Sequence, residues 1–197
     1  MILFLAGHET TSISLTVVFY FLALYPDIQE RVRNEVCEIL GDAQNSFPSF
    51  EEQQSMKLLE NVIKESLRLY PVVPHQSFRV CKSKMRFGDA VITPNEILSI
   101  NVFDIQRDPQ NFDNPHKFIP ERFNGEIKPC TWIPFGIGSR SCLGKMFSLV
   151  EQKVLISMIL MQYKVSLPED SPHRVELQNK PTGLLEISEM NLEFNKI

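Results

Sequence analysis

Ten residues, Phe135 to Gly144 (Phe-Gly-Ile-Gly-Ser-Arg-Ser-Cys-Leu-Gly), gather a glycine-rich loop, one arginine and one cysteine in front of an apolar, helix-forming run. The glycines Gly136, Gly138 and Gly144 let main chain pass close to a flat ligand. Cys142 falls at the N-terminus of the helix that starts near Leu143, where unpaired N–H groups and the helix dipole favour a negative sulfur. Arg140, two positions earlier, is a permanent cation able to pair with a carboxylate. A thiolate offered to a metal beside a guanidinium fits haem, with iron on the sulfur and propionates on Arg140.

A second polar cluster interrupts an apolar run. Ala6-Gly7-His8-Glu9-Thr10-Thr11 sets a carboxylate beside a hydroxyl. A buried carboxylate is costly without a partner or a task. Gly7 allows the helix to open locally, and a threonine hydroxyl can bond its own backbone or a water. Such a pair can relay protons through water into a closed pocket; the competing reading is a solvated polar patch. His8 reads as a surface or spacer residue. Glu65 and Arg68, three apart on one helix face, can form a bidentate pair, against the plain alternative of an exposed pair worth less than about 1 kcal/mol.

The elements that must position these groups are mostly helices. Residues 1–24 read as one helix, apolar on most sides except from Gly7 to Ser12. Its start, Met1-Ile-Leu-Phe-Leu-Ala, lacks the basic region of a signal peptide, and Ile13 to Leu24 is too short to span a membrane. A core helix of this kind needs neighbours on several sides, and the chain after it supplies too few helices to surround it. The expectation is a chain that is poorly stable and inactive alone, with apolar surface that drives aggregation. Pro26 to Leu40 is amphipathic and ends at Gly41; Ser49 and Glu52 form a capping box. A long helix covers residues 56–70 and stops at Pro71. From Lys84 to Phe103 the pattern suggests a three-stranded sheet. Residues 106–134, with five prolines, form an irregular meander ahead of the 135–144 loop. A helix over 143–163 follows, then short strand candidates at Lys164 to Leu167, Leu184 to Ile187 and Asn191 to Phe194.

With 197 residues, 43% of them hydrophobic, the chain can build one core, and its net charge of -4 without basic–aromatic runs excludes a nucleic-acid surface. Four cysteines with no C-x-x-C pair are neither a disulfide framework nor a zinc site, which favours a reducing compartment. Cys37, Cys81 and Cys130 read as small buried apolar residues.

The order F-x-x-G-x-R-x-C-x-G, complete in Phe135, Gly138, Arg140, Cys142 and Gly144, resembles the cysteine-loop signature of the cytochrome P450 family. Ala6-Gly7-His8-Glu9-Thr10 resembles that family's oxygen-binding helix, Glu65-x-x-Arg68 its third signature, and Pro120-Glu121-Arg122-Phe123 its fourth. The resemblance implies a mainly α fold with small β-sheets (α+β), the C-terminal portion of the cytochrome P450 fold from the oxygen-binding helix onward. It implies heme b (iron protoporphyrin IX) with an axial thiolate from Cys142, in a site to which Ala6, Arg79, Trp132, Phe135, Gly136, Arg140 and Gly144 contribute. Thr10 would steady the oxygen and Glu9 would feed protons. Arg79 would pair with a propionate, and Trp132 would cover the haem edge, donate its indole N–H or simply fill core. Val72 to Gln76 and Thr182 to Leu185 would line the substrate side, with Val72, Val73 and Leu184 in contact. Glu65, Arg68 and Arg122 would brace the meander. Gln106-Arg107-Asp108-Pro109 departs from a common His-Arg-Asp-Pro version, a change expected to touch only local packing.

Carried further, the resemblance implies a haem-thiolate monooxygenase inserting one atom of O2 into a small apolar substrate. Electrons would come from NADPH through NADPH–cytochrome P450 reductase, with cytochrome b5 a further candidate donor. The full-length protein would sit on the cytosolic face of the endoplasmic reticulum membrane, held by an N-terminal part outside this chain. The rivals are a truncated product that keeps the motifs without catalysis, and a haem-thiolate isomerase or dehydratase, against which the intact Glu9-Thr10 pair counts.

Overall fold

Val17 to Leu22, six consecutive residues of the first helix, are all buried, and the other elements are arranged around them. The computed structural model describes residues 2–41, 47–170, 177–179, 183–187 and 190–197. Helix α1 (Ile2–Leu24) packs against α2 (Pro26–Leu40), α4 (Lys57–Leu69), α6 (Lys145–Leu160), β5 (Tyr163–Ser166) and β7 (Leu185–Ile187). The expectation of too few neighbours is therefore corrected for the second half of α1, because two late strands complete the wall that helices alone would leave open. Its earlier turns are less covered, and Ala6, Gly7 and His8 are exposed. Among the described residues no single helix is long and apolar enough to cross a membrane.

Helix α2 starts at Pro26, whose missing N–H costs nothing there. It turns Val32, Val36 and Leu40 inward and ends at Gly41 (φ 56°), whose N–H bonds the Cys37 carbonyl at 2.9 Å. Two polar residues on its buried side act as caps for other elements. The Gln29 amide donates to the Leu22 and Val165 carbonyls at 2.8 Å each, and its oxygen accepts from the Val165 N–H at 2.9 Å. Arg33 donates to the Leu160 and Tyr163 carbonyls. The last turns of α1 and α6 and the start of β5 thus find partners for carbonyls their own backbones leave unpaired.

Ser49 and Glu52 close the capping box at the head of α3 (Phe50–Ser55). Helix α4 has no cap of its own. Glu35 of α2 supplies one, accepting from the Leu58 and Leu59 N–H groups at 2.7 and 2.9 Å, where the dipole also favours a carboxylate.

The three-stranded sheet expected between Lys84 and Phe103 is not formed. β2 (Met85–Phe87) pairs only with β3 (Ala90–Ile92), around Gly88 at φ 58°. β4 (Ile97–Asn101) pairs instead with β1 (His75–Val80), with an irregular register between Gln76 and Arg79. Pro94 has no N–H for a continuing ladder. Asn95, at φ 73°, turns the chain so that its N–H meets the Cys81 carbonyl while Cys81 N–H meets that of Glu96. Pairing with β1 follows. A short α5 (Val102–Ile105) begins where the strand had been expected to continue, because the Asn101 side chain accepts the Asp104 N–H as a cap. The segment over 106–134 contains one 3-10 turn, Pro120–Asn124, and a second, Gly138–Arg140, lies in the cysteine loop. α6 begins two residues later than expected because Gly144 occupies its N-cap. β5 pairs with β8 (Glu193–Lys196), and β7 with β6 (Leu177–Asn179), a strand the sequence pattern did not suggest.

One clip joins three helices. Glu60 of α4 pairs with Lys64 and with Lys153 of α6, each at 2.6 Å, while Lys153 also donates to the Gln53 carbonyl of α3 at 2.9 Å. Burial alone would push the Glu60 carboxyl upward, but bonds and charge from Lys153 and Lys64 outweigh it and hold it at about 2. A depressed folded-state value means the contribution is complete above the unfolded value near 4.5 and is lost as pH falls through 2. Glu60→Gln keeps one side-chain oxygen for Lys153 but removes the charge that compensates its buried ammonium, and costs about 1–3 kcal/mol at neutral pH after allowance for the partly exposed carboxylate. Urea denaturation at pH 7 and pH 3 checks this: the gap between variant and parent is expected to narrow at the lower pH.

Candidate functional site

The loop ahead of α6 is folded by its own backbone. Gly136 N–H bonds the Ile133 carbonyl at 3.0 Å, Ser141 N–H bonds Gly138 at 3.1 Å, and Cys142 N–H returns to Phe135 at 2.8 Å. Gly136 (φ 71°) and Gly138 (φ 73°) occupy the left-handed region, so a side chain at either is strained. The result is a tight loop with an exposed thiol at Cys142, three residues before α6.

That thiol lines a cavity of about 760 Å³, within the range of small-molecule and cofactor sites. The loop contributes Phe135, Arg140 and Gly144 besides Cys142, α1 contributes Ala6 and Thr10, and the stretch from α4 into β1 contributes Val72, Val73 and Arg79. Helix α1 is continuous through Gly7, in place of the local opening that Gly7 would allow. The Thr10 hydroxyl donates to the Ala6 carbonyl at 2.6 Å. Arg79 and Arg140 are exposed, and Arg79 donates to the Phe78 carbonyl at 3.0 Å.

This donor set selects among ligands. Among the described residues no three His, Cys, Asp or Glu side chains converge on a metal position. A metal held at Cys142 must therefore bring its remaining ligands with it. Apolar side chains surround the thiol, with Leu143 92% and Phe147 72% exposed, and two guanidinium groups line the same cavity. A flat apolar macrocycle carrying carboxylates and an iron matches all three features.

Other expected site residues lie elsewhere. Glu9 is half-buried and outside the cavity lining, as is Gly136. Trp132 lines a neighbouring cavity of about 500 Å³; its indole N–H donates to the Lys64 carbonyl at 3.0 Å and its ring packs edge-on against Phe123 and Phe135. Leu184 packs on the hydrophobic core, with the neighbouring Leu185 N–H bonded to the Val72 carbonyl at 2.8 Å. Thr182 lies outside the described residues. Of the other cysteines only Cys81 is buried; Cys37 and Cys130 are exposed, in contrast to the expectation.

Behind the loop lies a fully buried carboxylate. Glu65 accepts from Arg68 at 2.7 and 2.9 Å, from Arg122 at 3.0 Å and from the Ile119 N–H at 2.9 Å, with Glu65 and Arg68 both at 0% exposure. Arg68 spends its remaining donors on the carbonyls of Gln106, Pro115 and Lys117. The exposed-pair alternative is thereby excluded for this pair. Gln106, expected to matter only locally, does more. Its buried side-chain amide donates to the Leu67 and Arg68 carbonyls at 3.0 Å each, and its oxygen accepts the Ile133 N–H at 2.8 Å. It thus ties the end of α4 to the residue two before Phe135. Its polarity in a stretch without periodicity gave the sequence no signal for that role.

A sequence model of the family "Cytochrome P450" matches residues 1–194. The chain is 35% identical over 167 residues to cytochrome P450 3A2 of Rattus norvegicus, which covers 83% of this chain and 32% of that protein. It is 33% identical over 187 residues to cytochrome P450 9e2 of Blattella germanica, covering 91% and 35%. To cytochrome P450 4d8 of Drosophila melanogaster it is 34% identical over 166 residues, covering 81% and 36%. The chain spans about a third of the length of these curated relatives.

Glu65→Ala strands two arginines and one backbone N–H, and a broken buried network of this kind costs about 3–5 kcal/mol. The expected outcome is a loss of that size in denaturant unfolding, with fast hydrogen exchange at the Ile119 and Ile133 amides. Retention of slow exchange at both positions would show that the segment over 106–134 is held by something else.

Proposed function

The chain belongs to the cytochrome P450 family, and we propose that it is the haem-bearing part of a haem-thiolate monooxygenase acting on an apolar organic substrate. The observation that carries this reading is the single cavity lined by Cys142, Thr10, Arg79 and Arg140. Bound there, haem supplies the activation of O2 and the transfer of one oxygen atom into the substrate.

The chain's own residues have distinct tasks. Cys142 gives the sulfur ligand, and the bond from its N–H to Phe135 fixes the loop from which it extends. Arg79 and Arg140 receive carboxylates at the cavity edge. Val72, buried, and Val73, half-buried, line the cavity and offer apolar surface to substrate, and Leu184 is assigned to the substrate side by family resemblance. With its proton engaged by Ala6, the Thr10 hydroxyl presents lone pairs to the cavity and can hold a water there. Turning to donate requires giving up the Ala6 bond, a change of about 0.5–1.5 kcal/mol. Glu9, one residue away, supplies protons to that water. Electrons from NADPH through a separate reductase or cytochrome b5, and a location at the cytosolic face of the endoplasmic reticulum membrane, complete the proposal by family resemblance.

Cys142→Ser is expected to abolish the red-shifted Soret band of the reduced, carbon-monoxide-bound protein, because a hydroxyl replaces the thiolate. Survival of the band would transfer the ligand role to Cys37, Cys81 or Cys130. Thr10→Ala is expected to leave haem content unchanged while raising hydrogen peroxide formed per NADPH oxidised, since the cavity water loses its anchor. Product formed per NADPH is the measurement, and an unchanged value removes Thr10 from the proposed role.

A further inference from the structure

Immediately after Thr10, α1 is fastened to α6 by four polar side chains, Thr11 and three more (Ser14, Ser148 and Gln152) that lie outside every motif named above. Thr11 and Ser14 lie one turn apart on one face of α1, and Ser148 and Gln152 one turn apart on one face of α6. The Ser14 hydroxyl donates to the Gln152 side-chain oxygen at 2.7 Å, the Gln152 amide donates to the Ser148 hydroxyl at 3.1 Å, and Ser148 pairs with Thr11 at 3.2 Å. Thr11, Ser14 and Gln152 are 5%, 3% and 0% exposed. None of the four has a buried side-chain atom lacking a partner. Thr11, Ser14 and Ser148 also line the cavity.

The placement matters because both helices line that cavity, α1 through Thr10, Thr11 and Ser14 and α6 through Phe147 and Ser148. Thr10 precedes Thr11 directly, and Ser148 stands six residues beyond Cys142. Apolar contact between two helices sets their closeness but tolerates sliding, whereas a satisfied polar network admits one register. A slip of α1 along α6 breaks both bonds between the helices at once, Ser14 to Gln152 and Thr11 to Ser148, and leaves those groups unpaired in a buried interface.

We infer that Gln152, through Ser14, Ser148 and Thr11, is a positioning residue that fixes the register of α1 on α6 and with it the width of the cavity between Thr10 and Cys142. This rests on the haem-thiolate reading above. It gives Gln152 no contact with substrate or haem; it acts by holding the two walls.

The test separates positioning from stability. Gln152→Leu orphans the Ser14 hydroxyl, leaves Ser148 with Thr11 alone, and is expected to lower the thermal midpoint. The double variant Ser14→Ala/Gln152→Leu removes both ends of the Ser14 bond and leaves Ser148 paired with Thr11, so it recovers the midpoint without the Gln152 brace. In the haem-loaded protein, Soret titration with imidazole and with 4-phenylimidazole gives a ratio of affinities that reads cavity width. That ratio is expected to change by about threefold or more in both variants. An unchanged ratio in both variants, beside a parent that shows the thiolate Soret band, overturns the positioning role. So does a ratio that returns to the parent's value together with stability in the double variant, since Gln152 then only stabilises. A parent without the thiolate band overturns the functional reading and takes the positioning role with it.

Discussion

Everything that faces the cavity from the loop side depends on one buried carboxylate. Glu65 sits at 0% exposure with two guanidinium groups and a backbone N–H on its oxygens. The residues over 106–134 have five prolines and little periodic pattern, and they bury few side chains of their own. Regular hydrogen bonding cannot hold such a segment, so side chains from α4 do it instead, with Arg68 bonding three of its carbonyls. An isolated ion in that place is unfavourable, and an ion that accepts four hydrogen bonds is tolerated while specifying one path for the chain.

Gln106 extends that order to the chemistry. A side-chain amide can donate twice and accept through its oxygen, and here both N–H groups and the oxygen are used, on Leu67, Arg68 and Ile133. The Gly136 N–H then bonds Ile133 and Cys142 closes onto Phe135. From Glu65 to the sulfur there is an unbroken series of directional contacts, and none of the links depends on apolar packing alone.

What the amino-acid pattern disclosed follows the nature of the signal. Helices α2, α3 and α4 were legible because each has a stop or a cap written in residue type: Pro26 and Gly41 around α2, Ser49 with Glu52 before α3, Pro71 after α4. The cysteine loop was legible because glycine, arginine and cysteine at fixed spacing have few other uses. Strand pairing was not, since Ile97 to Asn101 can pair with either β1 or β3 by composition, and the choice is made by Pro94 and Asn95 acting on a partner far back in the chain. Gln106, Gln152 and Ser148 were silent because a buried polar residue looks the same in sequence as an exposed one. The second half of α1 was misjudged for a related reason: β5 and β7, which help to cover it, are four and three residues long and lie more than 130 positions away.

The caps supplied by α2 have a bearing on how the chain comes apart and together. Gln29 and Arg33 bond carbonyls of Leu22 on one side and of Leu160, Tyr163 and Val165 on the other, so one helix clasps segments separated by well over a hundred residues. Closing so long a loop carries an entropic cost before any bond across it repays it. Those caps therefore form late in folding, and in the native state they make the start and the end of the chain open as one cooperative unit instead of fraying separately.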